Sequence, residues 1–178
     1  MIVVLSRIVG KPDAGLTLIE KLQQGLAEIA ASARALPRRP RVFFEEWNDP
    51  LISGIQWVEE LIEIAGGDLI FPELRACGKA KDRVVDPAAV AARDPEVILA
   101  SWCGKKVSKD EICSRAGWSE TSAVRNGHVY EVPSGAILQP GPASLTEGVR
   151  QLHAILASVV GTEVAPVTEP AQSGASLL

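Results

Sequence analysis

Two tryptophans near the ends of predicted strands are the residues best suited to binding chemistry, and that chemistry is stacking against a flat ligand. Trp47 lies in residues 45–49, and Trp102 lies in residues 101–105. An indole ring offers a large, rigid apolar face with a polar N–H at its edge. The alternative interpretation is that both indoles only fill the top of the hydrophobic core.

The same segments contain residue types that could serve catalysis. Glu45 and Glu46 could form an acid–base pair, but adjacent strand residues point to opposite faces, so they cannot address one substrate atom. Cys103 follows a predicted strand and precedes a glycine, yet a nucleophilic cysteine needs a base beside it. Neither His128 nor His153 is placed by the sequence to act as that base. A small buried residue near the ligand is therefore the favoured interpretation of Cys103.

Composition argues against several other functions. Among 178 residues the net charge is −4, and the pI is about 5.3, so no nucleic-acid partner is predicted. The basic cluster at residues 38–41 is interpreted as a solvated linker. Cys77, Cys103 and Cys113 form no C-x-x-C pair, which argues against a disulfide framework. No cluster of metal ligands is visible, and no apolar run is long enough to span a bilayer.

Three predicted strands position the candidate residues. The apolar runs typical of strands covered on both faces are residues 41–47, 96–102 and 128–132. Because helical patterns lie between them, we predict an α/β fold, a three-layer lobe with a mostly parallel sheet covered by helices. Ligands of such folds bind beyond the carboxyl ends of the strands. That edge comprises residues 45–49, 101–105 and 133–140.

Local signals predict where the helices of this lobe begin and end. Residues 53–56 and 108–111 have the pattern of capping boxes, in which a serine oxygen accepts a free backbone N–H. Asp86 followed by proline is a third predicted helix start. Two glycines at residues 66–67 predict a helix end, and residues 142–159 are predicted to form the last helix.

The regions on either side of the lobe have a different character. One apolar stripe predicts a long helix over residues 12–35, with Leu16, Ile19, Leu22, Leu26 and Ile29 on that stripe. We therefore divide the chain into a linker helix at 1–40, an α/β ligand-binding lobe at 41–160 and a tail at 161–178. The tail is rich in Pro, Thr, Ser, Gly and Ala and is predicted to be disordered.

Three runs of the sequence, taken together, resemble one known family. They are RVFFEEWNDPLISGIQWVEELIEIAGGDLIF, DPAAVAARDPEVILASWCGKK and GWSETSAVRNGHVYEVPSGAILQPGPASLTEG. The combination is similar to the carboxyl-terminal lobe of cobalamin-binding substrate-binding proteins of ABC transporters. These belong to the helical-backbone class, which also serves siderophores and haem. The resemblance covers roughly residues 2 to 157.

The resemblance implies an architecture and a location. Members of the class have two α/β lobes joined by one long helix, with the ligand between the lobes, and residues 12–35 resemble that helix. The expectation that follows is a chain without its amino-terminal lobe. The family is periplasmic, but residues 1–10 lack the pattern of a signal peptide, so a cytoplasmic location stays an alternative.

The resemblance also implies a ligand and the residues that contact it. The ligand would be cobalamin or a related siderophore-like or haem-like molecule, bound without catalysis and without a protein cofactor or metal site. Trp47 would flank the ligand, and residues 137–139 would form a rim before the last helix. The full set of expected ligand-binding residues is Glu45, Trp47, Asn48, Trp102, Cys103, Gly104, Ile137, Leu138 and Gln139.

One position departs from the family pattern. In the family, a glutamate near residue 88 docks on arginines of the membrane permease, whereas Ala88 occupies that position here. Asp86 and Glu73 are the acidic residues that could substitute for it.

Two alternative functions stay open at this point. One is an enzyme on an α/β lobe, either a hydrolase that uses Cys103 or a chelatase-like activity. The other is a homodimeric interaction module, which would pair through the exposed face of the lobe and the one-sided helix at residues 16–29.

Overall fold

The computed structural model describes residues 1–162 and begins with a pair of helices. These are α1 (Ile2–Ile8) and α2 (Pro12–Arg34), which pack against each other. Gly15 permits the close packing, because a Cβ atom at this position would collide with the Ser6 side chain. The predicted helix over residues 12–35 is confirmed.

The two helices differ in how much of their apolar surface is buried. On α2, Leu22, Ile29 and Ala33 are buried, as a helix with one apolar face requires. In contrast, several large apolar side chains near the start of the chain are exposed. They are Met1, Val4, Leu5, Ile8, Val9, Leu16 and Leu18.

A five-stranded sheet forms the centre of the molecule. Its strands are β1 (Arg41–Asn48), β2 (Leu51–Ser53), β3 (Asp68–Leu69), β4 (Val97–Ala100) and β5 (Val129–Glu131). β1 pairs in parallel with β4 on one side, and β5 continues the sheet in parallel beyond β4. The other side of β1 pairs with β3 in parallel near its start and with β2 antiparallel near its end.

Helices cover both faces of this sheet. They are α3 (Gln56–Ala65), α4 (Pro87–Ala92), α5 (Lys109–Cys113), α6 (Ser122–Arg125), α7 (Ser134–Ile137) and α8 (Val149–Val159). Shorter 3-10 turns occur at Pro72–Leu74, Ala80–Arg83 and Trp118–Glu120. Because β1 alternates, Val42 and Phe44 enter a core with α2, α3 and α8, whereas Phe43 enters a second core with α4, α5 and α6. The predicted three-layer α/β lobe with a mostly parallel sheet is confirmed.

Two of the three predicted side-chain caps are present at the starts of the helices. The Asp86 carboxylate accepts a hydrogen bond from the Ala88 N–H, and the Ser108 hydroxyl accepts one from the Glu111 N–H, so these two starts are confirmed. The capping box at residues 53–56 is wrong. Ser53 belongs to β2 and pairs with Glu45, so its backbone is committed to the sheet and α3 begins without a side-chain cap.

The last predicted helix is divided into two parts. A π-helical turn, Ser144–Gly148, comes before α8. Gly148 lies directly against the carbonyl oxygen of Ala136, so closely that a Cβ atom at this position would collide with it. This contact joins the start of α8 to α7.

Within residues 1–162, no helix combines the length and the apolar character needed to cross a membrane. The disorder predicted for 161–178 concerns residues that, apart from the first two, lie outside the described part of the chain.

Candidate ligand-binding groove

An open groove with a volume of about 580 Å³ lies at the carboxyl ends of β1 and β4. Parallel strands end at the same edge of a sheet, so the loops that follow them meet there. The groove is mainly apolar and contains two indole rings. Its lining consists of Glu46, Trp47, Pro50, Ile52, Ile55, Trp57, Cys103, Leu138 and Pro140.

A bulge in β1 explains why two consecutive residues line the same groove. Glu45 pairs with Ser53 and Trp47 pairs with Ile52, so Glu46 is one extra residue on β1. Such a bulge bends the strand and redirects the side chains beyond it. Both Glu46 and Trp47 therefore reach the groove, although a regular strand would send them to opposite faces.

The hairpin of β1 and β2 supplies a wall that the sequence did not predict. Ile52 lies in β2, Ile55 precedes α3, and Trp57 lies in its first turn. The prediction missed these residues because it assigned 53–56 to a helix cap. The signal that could have identified them was the turn pair Asp49-Pro50 between two apolar segments.

Glu45 lies beneath the groove, fully buried in the sheet. Its carboxylate accepts hydrogen bonds from Arg115 at 2.5 and 2.8 Å and from the indole N–H of Trp102 at 3.0 Å. The Trp102 side chain is also buried. Glu45 and Trp102 thus form an internal polar network, and neither side chain lines the groove.

Glu46 presents the carboxylate that does reach the groove. Arg83 binds it with two nitrogens, at 2.7 and 3.1 Å, and also donates to the Ser53 carbonyl oxygen. The Arg83 side chain is buried, and its Nε atom has no hydrogen-bond partner among the described residues. The negative charge of Glu46 is therefore balanced from behind by a buried guanidinium.

Glu59, in α3, carries a second buried carboxylate, and it also lies near Arg83. Burial raises the pKa of Glu59 to about 7, and the nearby guanidiniums of Arg83 and Arg75 oppose this effect only in part. One of its carboxylate oxygens is buried without a hydrogen-bond partner among the described residues. Gly54 allows this close packing, because a Cβ atom there would lie 2.9 Å from Glu59 Cγ.

Lys105 brings several of the predicted residues together at the edge of the groove. Its ammonium nitrogen lies 4.7 Å from the centre of the Trp102 ring and 6.0 Å from the centre of the Trp47 ring. The same nitrogen is 3.5 Å from Asn48 Oδ1, and the Asn48 amide donates in turn to Glu111 at 2.5 Å. Asn48 is thus held between a cation and an anion beside the groove.

The three residues of the predicted rim, 137–139, lie in three different environments. Ile137 is fully buried in the core, Leu138 lines the groove, and Gln139 is exposed. Pro140 completes the wall on this side. The contact of Gly148 with α7 holds this segment in place.

Cys103 lines the groove as an exposed free thiol, so its predicted burial is wrong, because it lies in the loop beyond β4 and not in the core. Gly104 beside it adopts a left-handed conformation with φ of +70°. Neither histidine is part of the groove lining. His128 precedes β5, at the opposite edge of the sheet. His153 is buried, with its ring nitrogens 2.8 Å from the Ala65 carbonyl oxygen and from the Ser32 hydroxyl. Within residues 1–162, no group of three or more side chains is placed to hold a metal ion.

The sequence profile of the periplasmic binding protein family matches residues 1–136, which is most of the chain. The chain belongs to this family. Among proteins of curated function, none matches the sequence of this periplasmic binding protein significantly.

Solved structures agree with the family in fold. A vitamin B12-binding protein of Vibrio cholerae is 23% identical, with a TM-score of 0.69, covering 89% of this chain and 59% of that one. A haem-binding protein of Roseiflexus sp. RS-1 is 20% identical, with a TM-score of 0.75, and the shares covered are 89% and 61%. A substrate-binding protein of an ABC transporter from Listeria monocytogenes is 14% identical, with a TM-score of 0.75, and the shares are 88% and 62%.

These structures are longer than the chain. The chain spans about three fifths of the length of each of these three. All three are binding proteins, and at these identities the similarity concerns the fold.

Proposed function

We propose that this chain is the ligand-binding lobe of a solute-binding protein for an ABC-type uptake system. The observation that carries the proposal is the groove at the carboxyl edge of the sheet, where Trp47 and Trp57 lie in a mainly apolar lining that also contains Glu46. A concave, mainly apolar site with a few polar groups is typical of sites that bind small molecules and cofactors.

The ligand class we propose is a large ring-bearing molecule, cobalamin or a haem-like or siderophore-like relative. Indole rings stack well against flat conjugated surfaces. Two proteins of similar fold, a vitamin B12-binding protein and a haem-binding protein, support this class without selecting one member.

A binding role accounts for the groove better than catalysis does. The exposed thiol of Cys103 has no histidine among the groove-lining residues. Both carboxylate oxygens of Glu46 already accept hydrogen bonds from Arg83. We therefore propose that the chain binds its ligand without making or breaking a bond.

The partner of the proposed protein would be a membrane permease. The expected docking position, Ala88, is exposed but uncharged, and the Asp86 carboxylate caps α4. Glu73 is exposed and paired with Arg93 at 2.6 Å, which lowers the pKa of Glu73. Among these candidates, Glu73 is the acidic side chain we propose for contact with the permease.

The binding proposal is tested by titrating the chain with cyanocobalamin and, separately, with haemin while following tryptophan fluorescence. We expect saturable quenching by at least one ligand and about tenfold weaker binding in Trp47→Ala, as for a central aromatic contact. Leu16→Ala is the matched control, because Leu16 is exposed on α2 and outside the groove. Quenching by neither ligand, or equal affinity of Trp47→Ala and the wild type, would contradict the proposal.

A further inference from the structure

Glu46 and Lys105, the two charged side chains compared at the groove, differ in whether a partner of opposite charge lies beside them. Glu46 is paired with Arg83, so the carboxylate inside the groove is already neutralised. Lys105 is exposed, and no carboxylate among residues 1–162 lies within 4.0 Å of its ammonium group. The groove edge therefore carries one positive charge without a matching negative one.

The position of Lys105 is defined by its contacts. Its ammonium group lies over the buried Trp102 ring at 4.7 Å and near Trp47, which lines the groove, at 6.0 Å. Asn48 lies within 3.5 Å and uses its amide N–H to bind Glu111, so this acid is held one side chain away from the cation. Cation–π contacts of this kind orient a lysine head group even at a partly exposed site.

We infer that Lys105 is an anchor for an anionic group of the ligand, so the groove selects ring-bearing molecules with peripheral carboxylates. The Lys105 ammonium lies 6.0 Å from the centre of the Trp47 ring, so a ring-bearing ligand that contacts Trp47 would lie close enough to present a peripheral group to it. A carboxylate there gains a charge-assisted hydrogen bond that a neutral ester or amide cannot make equally well. This inference rests on the proposed function, because it assigns a ligand class to the same groove.

The test compares two probes that share one ring and differ in charge. Protoporphyrin IX carries two carboxylates, and its dimethyl ester carries none. We expect the wild type to bind the acid between about three- and tenfold more tightly than the ester, from the usual strength of a partly exposed charged hydrogen bond. Lys105→Met keeps the aliphatic stem over Trp102 but removes the charge, so it should bind both probes equally.

Two controls separate charge from packing. Lys106→Met removes an exposed neighbouring charge that, among the described residues, makes no cation–π contact with Trp47 or Trp102, and it should leave both affinities unchanged. Lys105→Arg keeps the charge and should retain the preference for the acid. Raising the salt concentration should weaken the acid's binding to the wild type and leave the ester's unchanged.

The outcomes distinguish this inference from the function it rests on. Equal wild-type affinity for acid and ester, or an equal loss of both in Lys105→Met, would overturn the anchor while leaving the groove as the binding site. Binding of neither porphyrin, together with no quenching by cyanocobalamin or haemin, would overturn both the anchor and the proposed function.

Discussion

Glu45 and Glu46 are neighbours in β1, yet their carboxylates differ in how deeply they are buried and in how completely their surroundings satisfy the polar groups nearby. Glu45 is completely buried, and both its oxygens are bound by Arg115 and Trp102. Glu46 is partly exposed at the groove, with Arg83 behind it and the buried Glu59 nearby. The first site is saturated with hydrogen bonds, whereas the second contains buried polar atoms without partners among the described residues.

This difference shows how one sheet edge serves two purposes. The saturated network holds the ends of β1 and β4 together, since it joins Glu45 of one to Trp102 just beyond the other. The side with unmatched groups is the side that opens to the groove. Polar groups that lack protein partners are costly to bury, and they are tolerated more readily where a solute or water can approach.

The largest effect should come from breaking the saturated side. Glu45→Ala would leave the Arg115 guanidinium and the Trp102 indole N–H without their acceptor. We expect the free energy of unfolding to fall by about 3–5 kcal/mol, as for a buried pair that loses one member. Chemical denaturation followed by tryptophan fluorescence measures this change.

A double-mutant cycle makes this prediction sharper. The combined Glu45→Ala, Arg115→Ala variant should lose less stability than the sum of the two single variants, because the second change removes the charge that the first one strands. Glu20→Ala on the exposed face of α2 is the control and should change stability by less than about 0.5 kcal/mol. A simple sum of the two single effects would mean that the pair is not coupled.

The next largest effect concerns the pH dependence of the unsaturated side. Burial raises the pKa of Glu59 to about 7, above its ordinary value of 4.5, so the folded state favours the protonated form. The stabilising contribution is complete below about pH 4.5 and is lost as the pH rises through about 7. Between pH 5 and pH 8, about 2–3 kcal/mol of unfolding free energy should therefore disappear from this source.

Glu59→Gln isolates that contribution. Glutamine resembles the protonated carboxyl group and does not ionise, so the variant should match the wild type near pH 5 and be more stable at pH 8. Glu60→Gln, on the more exposed neighbouring position of α3, should keep the pH dependence of the wild type. If Glu59→Gln loses stability over this pH range as steeply as the wild type does, another group is responsible.

The smallest effect should come from Glu46. Glu46→Gln removes the charge but keeps one acceptor for Arg83, which also donates to the Ser53 carbonyl oxygen. We expect a loss of about 1 kcal/mol in unfolding free energy, within the range of a typical intramolecular hydrogen bond. Thermal denaturation beside Glu20→Gln as control measures it, and a loss as large as that of Glu45→Ala would abolish the contrast between the two sides.

Local patterns in the sequence predicted much of this molecule. The consecutive apolar residues of β1 and β4 predicted strands covered on both faces, and the alternation of strands with helices predicted the parallel sheet. Asp86 and Ser108 predicted two helix starts, because a cap depends on residues that are neighbours in the chain. The position of the groove followed from the same local information, since parallel strands must end at a common edge.

Only the tertiary structure decided which side chains face that groove. Because β1 pairs with β2, Ser53 is a strand residue and Glu46 is an extra residue in a bulge of β1. This bulge directs the side chain of Trp47 towards the groove. The partners of the two glutamates are 37 and 70 residues away, at Arg83 and Arg115. No local pattern encodes such pairs, because they exist only after the sheet and its covering helices have assembled. The sequence thus determined the edge of the sheet at which the groove lies, and long-range packing determined which residues line it.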